Sequence, residues 1–545
     1  MTSIADGDQG KARRPRRARA DMLDDGRTIL ANYTTSNSLR RNRSKLIWLF
    51  TAFAILYGMA FGIFASYFLL QLMIPLVVLV LLIIWVLPEM DYAPVDLLDK
   101  LVLTFIVALL CWPDYLALAF PGLPWITMIR LVIVPLLLTL LICVSISGAF
   151  RAQMKEVFNE TPLVWKGLVT FAVIAFISIA FSRDIANSIN KFTVAILYWV
   201  TIFFASAYVF QRRTRAQILV YMLWAIAVYV CLIAAWEWRL QAVPWAGRIP
   251  SFLAIQDPSV QQILSAKSRA ALGIYRVQSK FTTPLGLAEF MALSTPFVLH
   301  IILTSKQWIF RIAAAATIPL IFNTIIMTDS RLGVVGFFMS FLLYFLAWGV
   351  WRWRNDRDSI FGPAIVIGYP VVLGLFIAAT FFVGRLRAMV WGGGAQQYST
   401  QAREQQVAAG MPMIMKHPWG HGIGQGALTL NHRNQAGELT IDTYYLAVGL
   451  EYGVIGFIVY YGMFLAAIIY GGLAYMKARS TDTMVLAPLC IALTNFFVIK
   501  AIFSQQENHP AVFLMLGAVT ALVLKVRKEQ EELGMVPQPL RNAAR

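Results

Sequence analysis

A polytopic bundle of transmembrane α-helices is the fold this sequence predicts, and three observations carry the prediction. Apolar runs of about 20 residues recur along the chain, each long enough to cross a bilayer as a helix. Hydrophobic residues make up 59% of the 545 and charged residues only 14%. Basic residues also gather in alternate turns between the runs, as they do in loops that stay on the cytoplasmic side. No globular core could hide so many apolar runs, so a soluble fold is excluded.

Residues 1–44 read as a disordered basic cytoplasmic tail, with Arg13, Arg14, Arg16, Arg17, Arg19, Arg40, Arg41 and Arg43 placed to rest on anionic lipid. The first apolar run begins near Leu46, without a small-residue cleavage site after it. The basic cluster stands too far upstream for an export signal. Spans are expected near 46–66, 68–87, 101–118, 128–149, 164–181, 192–210, 217–237, 284–304, 308–327, 332–351, 361–383, 446–474, 483–503 and 511–526, about fourteen in all. The chain divides accordingly into N-terminal spans (45–237), a first outer loop (238–283), a middle group (284–383), a large outer loop (384–445), C-terminal spans (446–526) and a second cytoplasmic tail (527–545).

With the N-terminus inside, the turns carrying Arg212-Arg213, Lys306, Arg352 and Arg354, Lys477 and Arg479, and Lys525 to Lys528 all fall inside too. The net charge of +18 then belongs to topology and lipid rather than to nucleic acid. Cys111, Cys143, Cys231 and Cys490 lie in or beside apolar segments, with neither a disulfide framework nor metal-ligand spacing. Asp356-Arg357-Asp358 sits in a short inner turn with nothing to bind a nucleotide, and reads as a solvated loop.

The same orientation strands basic residues outside, where the rule depletes them: Arg239, Arg248, Arg269, Arg276, Lys280, Arg331, Arg385, Arg387, Arg403, Lys416 and Arg433. A phosphate or pyrophosphate held by guanidinium forks would account for them. Arg276 is then an anion clamp or an arginine snorkelling at a helix end. Arg331 follows Asp329 and Ser330, either of which could cap a helix whose N-terminus would also favour an anion.

The 384–456 stretch is the longest polar interruption and holds three of the five histidines. His417 and His421 stand four apart, but Pro418 and Gly420 argue against a helical metal pair, and a Gly-shaped turn approaching a ligand fits better. Asp442 is either an N-cap or a general base at the lipid boundary, with Glu438 and His432 behind it. Glu451 would be costly inside a span unless it faces a polar cavity. Trp391, Tyr398 and Trp419 are candidates for sugar stacking or interfacial anchoring.

Four short motifs stand in order on the outer side: Arg276 to Pro284 (Arg-x-x-Ser-x-Phe-x-x-Pro), Ser330 to Gly333 (Ser-Arg-x-Gly), His417 to Gly424, and Asp442-Thr443 nine residues ahead of Gly453-Val454-Ile455-Gly456. Together they resemble the O-antigen ligase and Wzy-type polysaccharide polymerase family, the WaaL, Wzy and ExoQ-like membrane glycosyltransferases. The Trp112-Pro113 and Pro121 to Trp125 segments are similar to exopolysaccharide members. Asp442 replaces the histidine of the ligase branch, a departure that leans toward an exopolysaccharide polymerase.

The resemblance implies a metal-independent, inverting glycosyl transfer without a cofactor, in the bacterial inner membrane with both termini cytoplasmic. Its donor would be a glycan on undecaprenyl pyrophosphate, and a chain-length regulator protein would be a further partner. It implies Asp442 as base, Arg276 and Arg331 on the pyrophosphate, and Arg385, Arg387, His417 and Lys280 lining the substrate site. O-antigen ligation is the alternative within the family, and a flippase for lipid-linked glycans the alternative from another class.

Overall fold

The computed structural model describes residue 51 and residues 68–534, apart from 91, 119–124, 256, 266–274, 357, 383, 385–386, 388–396, 434–436 and 438. The expected 1–44 tail, all but residue 51 of the 46–66 span, the Pro121 to Pro124 turn, Arg269, Arg385, Trp391, Glu438 and the end of the 527–545 tail lie outside the described residues.

The chain is a helical bundle: α1 (Phe68–Val86), α2 (Val95–Cys111), α3 (Met128–Ile146), α4 (Gly148–Glu160), α5 (Pro162–Ser178), α6 (Ile185–Ala195), α7 (Thr201–Val209), α8 (Arg215–Leu240), α9 (Pro258–Ser265), α10 (Pro284–Thr304), α11 (Trp308–Met327), α12 (Arg331–Asn355), α13 (Phe361–Phe382), α14 (Gln397–Lys416), α15 (Gly426–Leu430), α16 (Tyr444–Tyr475), α17 (Leu486–Ile499) and α18 (His509–Glu532). A single π-helical turn, Ile196–Val200, joins α6 to α7, and a two-residue hairpin pairs Ala117–Leu118 with Ile126–Thr127. Among the described residues ten helices are long and apolar enough to cross a membrane.

Several boundaries coincide with those expected because the local chemistry is unambiguous. Thr283 caps α10 by accepting from Gly286 N at 3.1 Å, and Pro284 takes the first helical position, where its missing N–H costs nothing. Ser330 caps α12, accepting from Gly333 N at 3.3 Å.

One expectation needs correction. The 101–118 span begins instead at Val95, because the charges near its start are paired: Arg212 meets Asp96 at 2.7 Å and Arg215 meets Asp99 at 2.6 Å. The large polar loop contains the 20-residue α14.

The basic turns do converge on one end of the bundle. Trp351 Nε1 donates to Ala478 O at 3.0 Å, Lys525 Nζ to Arg212 O at 3.3 Å and Gln530 Nε2 to Lys477 O at 2.9 Å. Arg527 and Lys528 reach Glu156 on α4 at 3.1 and 3.0 Å. The opposite end carries the residues from Arg276 to Pro284, the turn before Arg331, and Asp442.

The core is built around α10 and α18, each 89% buried across its apolar window. α10 packs on α8, α11, α12 and α17, while α18 packs on α4, α7, α16 and α17. α13 is the opposite case, 6% buried and turned outward almost entirely. Where α10, α17 and α18 meet, Lys500 Nζ lies 2.8 Å from Glu289 Oε1, both side chains at 0% exposure. Asn508 Nδ2 donates to Glu289 Oε2 at 3.1 Å and to Gly286 O at 2.9 Å, and Lys500 also donates to Gln505 O.

Removing one partner of a buried pair leaves an uncompensated charge and costs about 3–5 kcal/mol. Lys500→Met should therefore lower the detergent-solubilised melting temperature sharply. Lys500→Met/Glu289→Gln should recover part of the loss, and equal melting of single and double variants would contradict this account.

Candidate functional site

The Arg276 segment crosses the bundle end as a strap from Tyr275 to Thr283, and its placement follows from where its polar groups go. Val277 N donates to Met327 O at 3.2 Å, and Arg276 Nε donates to Thr328 O at 2.7 Å. The buried Arg276 thus lies along the C-terminus of α11. Asp329, in a left-handed conformation at φ 48°, turns the chain into Ser330, and Arg331 is the first residue of α12. Arg276 and Arg331 therefore share the short turn between α11 and α12. Gly333 is required there, because a Cβ would sit 2.8 Å from Ile325 and 3.0 Å from Ala288.

Carboxylates hold the strap from two sides. Glu237, near the end of α8, accepts from Tyr275 Oη at 2.9 Å, Gln278 N at 3.1 Å and Ser279 N at 2.5 Å. Glu507 accepts from Thr282 N at 2.7 Å, and its other oxygen is buried without a hydrogen-bond partner. Lys280 turns inward: Nζ donates to Leu109 O at 2.8 Å and stands 4.1 Å from the Phe281 ring.

Burial lowers the Lys280 ammonium from its ordinary range, opposed by Asp114 and Glu507. Burial likewise raises Glu507, with Lys280 opposing. Burial pushes the Asp114 carboxyl up to about 6, with Lys280 and Arg130 opposing and Glu507 adding to the rise.

Asp442 stands at the entrance to α16. The cap is Thr443, which accepts from Leu446 N at 3.4 Å, so Asp442 has no capping duty. Its N–H donates to the buried Gln406 Oε1 of α14 at 2.9 Å, and Thr440 Oγ1 lies 3.4 Å from its carboxylate. Tyr444 N donates to Lys500 O at 3.1 Å. The α16 entrance and the strap are accordingly joined through Lys500, Glu289, Asn508 and Glu507.

The His417 to Gly426 segment has a different purpose from the one its glycines suggest. It is spliced into a break in α16 at Gly453, whose φ of 69° lies in the left-handed region. Pro418 O accepts from Val454 N at 3.1 Å, His421 N donates to Leu450 O at 2.9 Å and Gly422 N to Glu451 O at 3.1 Å. A Cβ on Gly453 would run into the Pro418 carbonyl, and one on Gly420 into that of Glu451. The close approach is to the protein's own helix. Glu451, costly by sequence, is buried with its carboxylate accepting from Gly426 N at 3.3 Å.

His417 is exposed, with its ring 4.9 Å from that of His421. Arg387 is also exposed. No described contact brings either to Arg276 or Arg331. His432 is partly buried, and its carbonyl accepts from Thr440 N at 3.0 Å.

Residues 290–461 match the O-antigen ligase family. The matched segment holds most of α10, then α11 to α15 and the first half of α16, and so contains the Arg331 turn, the spliced loop and Asp442. The Arg276 strap lies just ahead of it. No curated protein matches the chain.

Glu237, Glu289, Lys500 and Glu507 were not singled out from sequence. The first three carry a signal that would have found them, a lone charge inside an apolar run.

Two outcomes follow. Gly453→Ala should cost about 2 kcal/mol or more, from strain and a backbone clash, and should expose residues 417–426 to limited proteolysis. Burial moves the Asp114 carboxyl up to about 6, so its contribution to stability is complete below the ordinary carboxylate range and is lost as pH rises through about 6. Asp114→Asn should raise the melting temperature at pH 7.5 and leave it nearly unchanged at pH 4.

Proposed function

We propose that this chain is a membrane glycosyltransferase that polymerises oligosaccharide repeats carried on undecaprenyl pyrophosphate, working at the periplasmic face of the bacterial inner membrane. The observation that carries the reading is the convergence of Arg276 and Arg331 on one turn at the bundle end opposite the basic turns. The family match supports a glycan polymerase or ligase, and the basic turns at the other end support cytoplasmic termini.

In this reading the two guanidinium groups, with the N-terminus of α12, receive the charge that grows on the departing pyrophosphate. A hydroxyl of the acceptor glycan attacks the anomeric carbon from the opposite face. Its oxygen forms the new glycosidic bond as the carbon–oxygen bond to pyrophosphate breaks, with inversion. Asp442 takes the hydroxyl proton. Because Thr443 supplies the cap, the Asp442 carboxylate is left available to an acceptor hydroxyl. Arg385, Arg387 and His417 would touch the glycan farther out. Lys280 supports the strap from within, and a chain-length regulator would act as a partner.

Ligation to a different acceptor is the second reading, favoured by the description of the matched family. A flippase would place its charges at mid-span, whereas Glu289 lies five residues into α10, about 8 Å from its start at 1.5 Å per residue.

With purified lipid-linked repeats, Arg276→Ala and Arg331→Ala should each cut polymer yield at least about 100-fold, equivalent to roughly 2.7 kcal/mol of transition-state stabilisation. Asp442→Asn should cut it by a similar factor. Wild-type yield in Asp442→Asn removes the base, and retained yield in both arginine variants removes the clamp. In cells, loss of the protein should leave single repeats on lipid at the outer face. Repeats stranded inside would point to the flippase.

A further inference from the structure

We infer that Glu237 is a positioning residue for Arg276, acting through the shape of the strap rather than by touching the donor. Three donors of the strap converge on this one carboxylate: the Tyr275 hydroxyl, one residue before Arg276, and the main-chain N–H groups of Gln278 and Ser279, two and three residues after it. Arg276 is bracketed by groups that the same side chain holds.

Backbone strain explains why a carboxylate is used. Ser279 adopts φ 53°, a left-handed conformation that a non-glycine residue takes only when its surroundings enforce it. The enforcing contacts are the Ser279 N–H on Glu237 Oε2 and the Ser279 hydroxyl on Val230 O at 3.2 Å. Both anchors belong to α8, one of the helices packed on the central α10. A carboxylate can accept from all three donors at once. An amide presents one acceptor oxygen and turns an N–H₂ toward the remaining donors. Glu237 is fully buried, so water does not make up for a lost bond.

The left-handed turn at Ser279 reverses the strap between its two tasks. Residues 276–277 run against Met327 and Thr328, placing the guanidinium at the Arg331 turn. Residues 280–283 run back to Leu109, Glu507 and the start of α10. Without Glu237 the reversal loses its template, and Arg276 loses the fixed approach to Thr328 O. The same reasoning separates Glu237 from Glu507, which takes one N–H beyond the reversal and anchors only the strap's far end.

This inference rests on the transferase reading for its kinetic consequence but not for its structural one, and the test uses both. Hydrogen exchange on the full-length protein in detergent should show amides 277–279 of Glu237→Gln exchanging at least tenfold faster than wild type, with α10 and α18 unchanged. With lipid-linked repeats, kcat should fall at least tenfold while KM for the donor stays within threefold, the pattern of a lost transition-state contact. Glu237→Asp, which keeps the charge on a shorter arm, should recover part of both. Tyr275→Phe removes one donor and spares the main-chain bonds. It should give a smaller change of the same kind, and it serves if Glu237→Gln fails to fold.

Unchanged exchange in the strap overturns the inference, as does a loosened strap with wild-type kcat in an active enzyme. If wild-type protein shows no turnover of the lipid-linked donor, the transferase reading falls instead. Strap exchange then decides by itself whether Glu237 holds Arg276 in place.

Discussion

The ion pair between Glu289 and Lys500 is the constraint around which one end of this bundle is arranged. Two charges at zero exposure are expensive to desolvate, and their mutual attraction and further hydrogen bonds offset part of that cost. Lys500 spends its ammonium on Glu289 and Gln505 O, and its own carbonyl on Tyr444 N. Glu289 spends its second oxygen on Asn508. The starts of α10, α16 and α18 and the end of α17 are thereby referred to one point. The strap and Asp442, far apart in sequence, inherit their relative placement from it.

The two ends of the molecule use charge differently. At the basic end, the pairs of Arg527 and Lys528 with Glu156 are partly exposed, and each is worth little by itself. At the other end Glu237 and Glu451 are buried and Glu507 partly buried, and all three accept main-chain N–H groups from the strap or the spliced loop. There the acids serve as templates for irregular backbone. Arg276 and Arg331 meet at a turn on that same end.

Much of this was legible in the sequence, and the rest was hidden for identifiable reasons. The limits of α10 and α11 were readable to the residue, because Thr283-Pro284 opens one and a polar Ser305-Lys306-Gln307 turn separates them. α2 was misplaced because Asp96 and Asp99 look unfit for a span until Arg212 and Arg215 arrive from more than a hundred residues away. The nearness of Arg276 to Arg331 followed from motif order only as an expectation, since it depends on a long-range bond to Thr328 O. The glycines after His417 misled in a simpler way. Sequence shows that backbone must approach something closely, but not that Gly420 meets α16, Gly422 meets Ser178 and Ser182, and Gly424 meets Lys191.

That break in α16 reaches beyond the site itself. At Gly453 the helix gives up its own pairing, and the missing donors and acceptors come from a segment some thirty residues upstream. Loop and helix are thus halves of one hydrogen-bonded object. Diversification of such a protein cannot proceed by trading the loop alone as a cassette, because a foreign loop would leave a severed helix with open valences in the membrane. The inherited unit is the loop together with the first turns of α16, and change is accommodated at the edges of that unit.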